Sequence, residues 1–344
     1  MSEQKSTQIS TLGEFGLIDH LTKDIKLTKS STVKGVGDDC AVVDCGDYYM
    51  LLTSDLMLEG INFDLTYFPL KHLGYKAVVV ACSDIYAMNG LPEQLTISIG
   101  VSSKFTLEHL EQLYEGVNLA AQELGVDVVG GDTSSSLTGL TIALSALGRV
   151  DKDKIVYRSG AQQNDLICVT GDLGAAYMGL HLLEREKIAL KDIDNPQPMF
   201  EGHEYILEKQ LKPFARYDMI AAMAHDKIVP TSMIDLSDGL SSDLINLCKS
   251  SKCGARVYLD RLPIAKPTYD MAEELNTDPV VAALNGGDDH ELLFTVPLQM
   301  QEAVMKMGGV DVIGHITAQS SGVELVLPDG KNVPITAMGV SAQQ

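Results

Sequence analysis

Apolar positions recur along this chain with two alternating spacings, and each change of spacing marks the passage from one element to the next. Helical spacing of the apolar residues predicts helices over 11–21, 70–88, 107–124, 175–184 and 216–225. Short apolar runs predict strands over 41–43, 48–53, 95–101, 126–129, 140–150, 166–170, 233–236, 255–259, 292–296 and 310–316. Helices and strands are mixed throughout, which predicts an α/β fold of the α+β type.

A charged stretch, Asp151 to Lys154, interrupts the apolar pattern near the middle of the chain. At 344 residues, the chain is long enough for two domains of about 150 residues each. We therefore predict an amino-terminal domain over residues 11–150 and a carboxy-terminal domain over residues 151–335. Because 45% of the residues are apolar, each domain can bury a core of its own.

The net charge of −21 and the lack of tryptophan restrict the classes of partner. An acidic surface repels a phosphate backbone, and few aromatic residues are present to stack on bases, so we expect no nucleic acid as a partner. The first ten residues are polar and no apolar run approaches the ~20 residues that span a bilayer, so we expect a cytoplasmic protein without membrane contact. The six cysteines do not have the spacing of a zinc site, and we expect them to be reduced.

Aspartates recur beside apolar segments, and this recurrence is the strongest chemical signal in the chain. The residues concerned are Asp39, Asp55, Asp84, Asp132, Asp235 and Asp238. Carboxylates are costly to bury unless a positive group joins them. We therefore expect them to converge on several divalent ions, which would also let so acidic a protein bind phosphates. Surface caps and structural Ca²⁺ ligands are the alternatives, although the spacing of an EF-hand loop is missing.

The segments around these aspartates carry local predictions. We expect Asp55 at the end of a strand, and Asp84 on the inward side of an apolar helix. Residues 130–135 are expected to form a glycine turn whose backbone a phosphate can approach. Ser237 is expected to cap the next helix, which would place Asp238 at the positive end of the helix dipole.

Six motifs in this order resemble the thiamine-monophosphate kinase family. They are Gly37-Asp38-Asp39-Cys40, Thr53-Ser54-Asp55, Leu73-Gly74-Tyr75-Lys76-Ala77 leading to Ser83-Asp84, Gly130-Gly131-Asp132-Thr133, Ile234-Asp235-Leu236-Ser237-Asp238-Gly239-Leu240 and Gly286-Gly287-Asp288-Asp289-His290-Glu291-Leu292. The resemblance implies a two-domain fold like that of aminoimidazole ribonucleotide synthetase. In such proteins ATP and carboxylate-held Mg²⁺ are bound, and dimers form through the amino-terminal sheets.

Carried over residue by residue, the resemblance implies three sets of ligands. The metal ligands would be Asp39, Thr53, Ser54, Asp55, Asp84, Asp132, Asp235 and Asp238. The nucleotide would contact Gly131, Asp132, Arg158 and Ser237. Thiamine monophosphate would contact Asn62, Asp288 and Val340. No residue is implied as general base or nucleophile, because the acceptor phosphate is already largely ionised near neutral pH with a second pKa of about 6.

Two positions depart from the family pattern, and both belong to the acceptor site. Asn62 stands where the family usually has histidine, and Val340 stands where it usually has an aromatic residue. An aliphatic side chain offers no π face to a cationic thiazolium. Two alternatives therefore stay open: another ATP-dependent enzyme of the superfamily, such as one resembling selenophosphate synthetase, or a nucleotide-binding protein without catalysis.

Overall fold

The structure, a computed structural model, describes residues 11–191, 193 and 197–336. Its first half contains the helices α1 (Gly13–Thr22), α2 (Leu70–Ala87) and α3 (Leu107–Leu124). The first sheet contains β1 (Thr32–Lys34), β2 (Ala41–Asp44), β3 (Tyr48–Leu58), β4 (Leu91–Val101), β5 (Asp127–Ser135) and β6 (Thr141–Asp151). Their order across the sheet is β1-β2-β3-β6-β4-β5, and all pairs are antiparallel except β4 with β5.

A second sheet is formed by the rest of the described chain. Its strands are β7 (Leu166–Thr170), β8 (Ser232–Asp235), β9 (Gly254–Tyr258), β10 (Leu292–Val296), β11 (Val310–Thr317), β12 (Val323–Val326) and β13 (Asn332–Pro334). They lie in the order β13-β12-β9-β11-β7-β10-β8. The helices of this half are α4 (Ala175–Leu190), α5 (Glu204–Leu211), α6 (Tyr217–Asp226), α7 (Leu240–Ser251), α8 (Lys266–Glu274), α9 (Pro279–Asn285) and α10 (Gln301–Met307). The mixed α/β fold predicted from the sequence is confirmed.

The helix α2 lies where the two halves meet. It packs on β3 and β6 of the first sheet and also on β8 of the second. Its buried residues Leu73 and Ile85 belong to the same apolar cluster as Met219 of α6 and Phe294 of β10. Because one core extends across both sheets, side chains on α2 can reach groups carried by the second half.

The backbones of α2 and α3 are in direct contact at two glycines. A Cβ atom added to Gly74 would lie 2.0 Å from the carbonyl oxygen of Leu113, and one added to Gly116 would lie 1.8 Å from that of Lys71. No side chain fits within such distances, so glycine is required at both positions. The two glycines therefore set how deeply α2 packs.

Alternation along β3 gives this strand one buried and one open face. Thr53 and Met57 are buried, whereas Leu52, Leu56 and Leu58 of the opposite face are exposed. Successive side chains of a strand point to opposite sides, so the faces follow directly from the sequence. The first sheet thus covers the core with one face and leaves apolar side chains uncovered on the other.

Three local predictions are wrong. Asp55 does not end a strand but lies within β3, which continues to Leu58. The predicted glycine turn, residues 130–135, lies inside β5. Ser237 does not cap a helix, because α7 begins at Leu240 with Gly239 as its N-cap.

Backbone pairing explains these differences. All eleven residues of β3 pair with β6, which keeps the strand extended beyond Asp55. In β5, Gly131 pairs with Ile97 so closely that a Cβ atom would lie 1.7 Å from the Ile97 carbonyl oxygen. The carbonyl of Ser237 accepts a hydrogen bond from the amide of Asp288, which ties the bend before α7 to the loop that carries Asp288. Pairing across the sheets therefore outweighs the local turn and cap preferences.

Along the described residues, no helix has both the length and the apolar character that crossing a bilayer would require.

Candidate active site

Three carboxylates from separate elements meet where the two halves join. Asp39 lies in the loop before β2, Asp84 projects from α2, and Asp235 is the last residue of β8. One oxygen of each lies within 4.8 Å of the others. At this distance and an effective dielectric constant of about 20, two full charges repel by about 3 kcal/mol. The structure thus gathers three of the predicted metal ligands into one crowded acidic cluster.

The electrostatics of this cluster disfavour its charged form. Burial raises the pKa of Asp39 to about 7, although the neighbouring Arg158 acts in the opposite direction. Burial also raises the pKa of Asp84 far above its usual range, and the charges of Asp235 and Asp55 raise it further. For Asp55, burial and the charge of Asp235 raise the pKa to about 6. A bound cation would oppose these shifts, because a nearby positive charge favours the ionised carboxylates.

The donor atoms of the cluster fit a hard divalent cation. Asp39 Oδ2 and Asp55 Oδ2 are buried and accept no hydrogen bond from any residue that the structure describes. On the same face of β3, the Thr53 hydroxyl donates a hydrogen bond to Asp84 Oδ2. Carboxylate and hydroxyl oxygens without sulfur or imidazole are the donors that Mg²⁺ and Ca²⁺ prefer. Such ions can accordingly be held by the side chains of Thr53, Asp39, Asp55, Asp84 and Asp235.

Arg158 lies at the edge of this cluster. Its contacts show that the adjacent residues Asp38 and Asp39 have different roles. Its NH2 and Nε atoms donate to Asp39 Oδ1 over 2.8 and 3.2 Å. Its backbone amide donates to Asp38 Oδ1 over 3.0 Å, and Asp38 is also paired with Lys34 at 3.2 Å. The Arg158 side chain is 21% exposed, so it can still contact an anionic ligand. Asp38 fixes the backbone of Arg158, whereas Asp39 faces the other carboxylates.

A second group of charges surrounds Asp288. Lys76 Nζ donates to Asp288 Oδ2 over 2.9 Å, and His290 Nε2 lies 3.5 Å from Asp288 Oδ1. The other ring nitrogen of His290 lies 3.9 Å from Asp235 Oδ2. Burial opposes the charge of Asp288, but Lys76 and His290 outweigh it and lower the pKa of this carboxyl. The imidazole of His290 therefore links the acidic cluster to Asp288.

The remaining predicted metal ligands lie outside this three-carboxylate cluster. Ser54 lies on the open face of β3, opposite Thr53, and its hydroxyl donates to the Leu144 carbonyl over 3.1 Å. Asp132 is exposed within β5. Asp238 is exposed between β8 and α7, and its amide donates to Asp243 Oδ2 over 3.2 Å.

The predicted nucleotide and acceptor contacts are spread more widely. Gly131 lies in β5 and Ser237 is exposed in the segment before α7. Asn62 is exposed just after β3, and its Oδ1 accepts a hydrogen bond from the Leu58 amide over 3.0 Å. Val340 lies outside the described residues.

Two polar residues of α2 contribute contacts that the sequence reasoning missed. Ser83 donates to Asp235 Oδ2 over 2.8 Å, and Lys76 forms the buried pair with Asp288. They are seven residues apart, which places both on the same face of the helix, two turns from each other. A lysine and a serine seven residues apart within an apolar helix could have indicated in the sequence that this helix face contacts polar groups.

Comparison with known proteins finds two family models that match successive parts of the chain. Residues 37–150 match the family "AIR synthase related protein, N-terminal domain", and residues 162–326 match "AIR synthase related protein, C-terminal domain". The fold and the acidic cluster at its centre thus define a protein of the AIR synthase related class. A hydrogenase maturation complex, HypE-HypF, shares this fold with a TM-score of 0.72 at 18% identity, over 94% of this chain and 99% of that chain.

Several relatives narrow this class to one kind of enzyme. The chain is 31% identical to the thiamine-monophosphate kinase of Aquifex aeolicus, over 95% of this chain and 97% of that protein. It is 32% identical to that of Escherichia coli, with the same two coverages. A solved structure of AaThiL complexed with AMPPCP and TMP is similar with a TM-score of 0.82 at 30% identity, covering 96% and 97% of the two chains. The chain belongs to the thiamine-monophosphate kinase family, a family of phosphotransferases, which confirms the resemblance found in the sequence.

Proposed function

We propose that this protein transfers the γ-phosphoryl group of ATP to thiamine monophosphate, giving thiamine diphosphate and ADP. A bond forms between a phosphate oxygen of the acceptor and the γ-phosphorus, while the bond from that phosphorus to the β,γ-bridging oxygen breaks. The observation that carries the proposal is the meeting of Asp39, Asp84 and Asp235 beside Arg158, in a chain of this family. Membership of the family and the similarity to AaThiL complexed with AMPPCP and TMP support the choice of substrates.

We propose that Mg²⁺ is held by Asp39, Asp55, Asp84 and Asp235, with Thr53 completing the donor set. The two buried carboxylate oxygens without hydrogen-bond partners among the described residues support this assignment. When bound, such ions supply positive charge that offsets the repulsion between donor and acceptor phosphates. Ser54, Asp132 and Asp238 stay predicted ligands. Asp132 and Asp238 are exposed where a bound nucleotide could cover them, whereas the Ser54 side chain lies on the opposite face of β3 from Thr53.

The protein's own groups act mainly by positioning, as phosphoryl transfer requires. Arg158 is held in place by Asp38 and Asp39 and can donate to a phosphate oxygen through its partly exposed guanidinium. Gly131 and Ser237 stay predicted nucleotide contacts. The acceptor phosphate needs no general base, since it is ionised near neutral pH. Both ring nitrogens of His290 face carboxylates of the protein, which supports the prediction that His290 is not a general base. We expect direct in-line transfer without a phospho-enzyme.

We also propose a homodimer that forms through the first sheet. The open face of β3 exposes Leu52, Leu56 and Leu58, and exposed apolar groups on one face are typical of an interaction surface. In this arrangement, residues 11–150 would form the nucleotide, metal and dimer domain. Residues 151–335 would complete the nucleotide and acceptor site.

An assay of ATP consumption tests the proposed reaction. Purified protein with ATP and Mg²⁺ should release ADP at a rate that depends on thiamine monophosphate, and thiamine diphosphate should appear in equal amount. Thiamine, which lacks the acceptor phosphate, is the matched control and should not stimulate ADP release. ADP release that ignores thiamine monophosphate but responds to another acceptor would favour a different enzyme of the superfamily. A chain that binds ATP without releasing ADP would be a nucleotide-binding protein without catalysis.

A further inference from the structure

Lys76 is a buried cation in the middle of an apolar helix. Its side chain is 1% exposed, and its neighbours in α2 include the buried residues Ala77, Val78 and Val79. A lysine is almost never buried to this extent unless it is paired. Its position therefore demands an explanation that packing alone does not give.

Two oxygen atoms and one aromatic ring surround its ammonium group. Nζ donates to Asp288 Oδ2 over 2.9 Å and to the carbonyl of Gln210, in α5, over 3.1 Å. The ring centroid of Phe68 lies 5.7 Å away. Close contacts of this kind are needed to offset the desolvation of a buried charge, so the buried Lys76 ammonium depends on its pair with Asp288.

Asp288 is itself held in an unusual conformation. Its φ of +62° lies in the left-handed region, which side chains other than those of Asn, Asp and Gly rarely adopt. The amides of Asp288 and His290 donate to the carbonyls of Ser237 and Leu236 over 2.8 and 2.9 Å. The loop is thereby fixed against the end of β8, and the carboxylate is directed by Lys76 on one side and His290 on the other.

The two carboxylates bound by α2 belong to different parts of the proposed site. Ser83 binds Asp235, a proposed metal ligand, and Lys76 binds Asp288, a predicted acceptor contact. Seven helical residues separate Lys76 from Ser83, a rise of about 10 Å. One rigid helix thus sets the spacing between the metal ligands and the acceptor carboxylate.

We propose that Lys76 is a positioning residue for the acceptor, which acts by holding the Asp288 carboxylate in a fixed orientation. The inference rests on the proposed function. Lys76 engages Oδ2 and His290 Nε2 lies 3.5 Å from Oδ1, yet the Asp288 side chain as a whole remains 39% exposed, so a ligand can still reach this carboxylate. The acceptor carries a cationic thiazolium and an exocyclic amine, and a fixed carboxylate oxygen is complementary to both.

Steady-state kinetics of Lys76→Met, Lys76→Arg, Asp288→Asn and the Lys76→Met/Asp288→Asn double variant test the inference. Loss of a hydrogen bond between charged groups predicts that Lys76→Met raises the KM for thiamine monophosphate at least about tenfold. The KM for ATP should stay within about twofold, since no ground-state contact to the nucleotide is removed. Lys76→Arg should restore most of the lost affinity, and Lys76→Met should change little further in the Asp288→Asn background.

The matched control is Lys71→Met, the same substitution at a half-exposed position on the same helix, which should leave both KM values unchanged. If Lys76→Met does not fold, the KM values of the double variant and of Asp288→Asn are compared instead. Neither of these two variants contains an Asp288 carboxylate that has lost its partner. An unchanged KM for thiamine monophosphate, or equal increases in the KM values of both substrates, would overturn the inference while leaving the proposed function intact. A wild-type chain that does not turn over thiamine monophosphate would overturn the proposed function, and this inference with it.

Discussion

Asp84 is a carboxylate carried by the apolar helix α2, and the Thr53 hydroxyl donates a hydrogen bond to it. A carboxylate inside an apolar helix is recognisable in the sequence as a group that needs a partner. Its neighbours Asp39 and Asp235 come from a loop and from the end of β8, far away in the chain, and only folding brings them within 4.8 Å. Convergence of the aspartates was therefore expected from the sequence, whereas the selection of these three needed the fold.

We predict opposite effects of Asp84→Asn on activity and on stability. Loss of a ligand carboxylate should lower turnover by about 100-fold or more at a fixed Mg²⁺ concentration. Without Mg²⁺ the thermal midpoint should rise, because one of three crowded carboxylates becomes neutral. Kinetics and thermal melts with and without Mg²⁺ measure both effects. Asp311→Asn, at an exposed position of β11, is the control and should change neither. Near-normal turnover of Asp84→Asn at saturating Mg²⁺ would contradict the assignment of this ligand.

Asn62→His tests the first departure from the family pattern. A protonated imidazole donates a charge-assisted hydrogen bond to a phosphate oxygen, which is stronger than one from a neutral amide, so the KM for thiamine monophosphate should fall about threefold or more. The measurement is a steady-state titration of the acceptor at saturating ATP. Asn332→His, at an exposed position of β13, serves as the control. If the KM is the same in both variants and the wild type, residue 62 does not contact the acceptor.

At the scale of elements, periodicity located most helices and strands but not the ends of several. The helix over 70–88 was predicted because its apolar spacing is intrinsic to the segment, and α2 covers Leu70–Ala87. Residues 130–135 resembled a turn because glycines favour turns locally. Their pairing with β4 is a contact between segments distant in sequence, which local preference does not encode.

Two adjacent glycines of β5 provide an internal comparison. Gly131→Ala would place a methyl group 1.7 Å from the Ile97 carbonyl oxygen, and we predict a loss of unfolding free energy of about 3 kcal/mol. Gly130→Ala meets no described atom within 4 Å and should be tolerated. Urea denaturation of the two variants measures the difference. Equal stabilities would mean that β4 and β5 do not pair as described.

At the scale of the whole molecule, the open face of the first sheet is the main feature outside the candidate site. The sequence analysis predicted this strand only as far as residue 53 and did not predict its open apolar face. The sequence could not tell which face the helices cover, since both sides of the strand carry apolar residues. The structure leaves Leu52, Leu56 and Leu58 uncovered in the single chain.

We predict that Leu56→Glu converts the proposed dimer into a monomer. Leu56 is 57% exposed on the open face, and a buried charge without a partner would destabilise an interface formed there. Light scattering coupled to size-exclusion chromatography should show a mass near 37.1 kDa for the variant and twice that mass for the wild type. Leu298→Glu, 55% exposed in the second half, should remain dimeric. A wild-type monomer, or a dimeric Leu56→Glu, would contradict the proposal.

The direct crossing of α2 and α3 has a consequence for variants remote from any ligand. The helix α3 carries none of the predicted site residues, yet Gly116 leaves no room for even one extra carbon against α2. Enlarging that glycine would push α2 and α3 apart and would shift Lys76, Ser83 and Asp84 together, since one helix carries all three. Both substrates would then lose their alignment together, so a substitution in α3 would impair catalysis without touching either ligand.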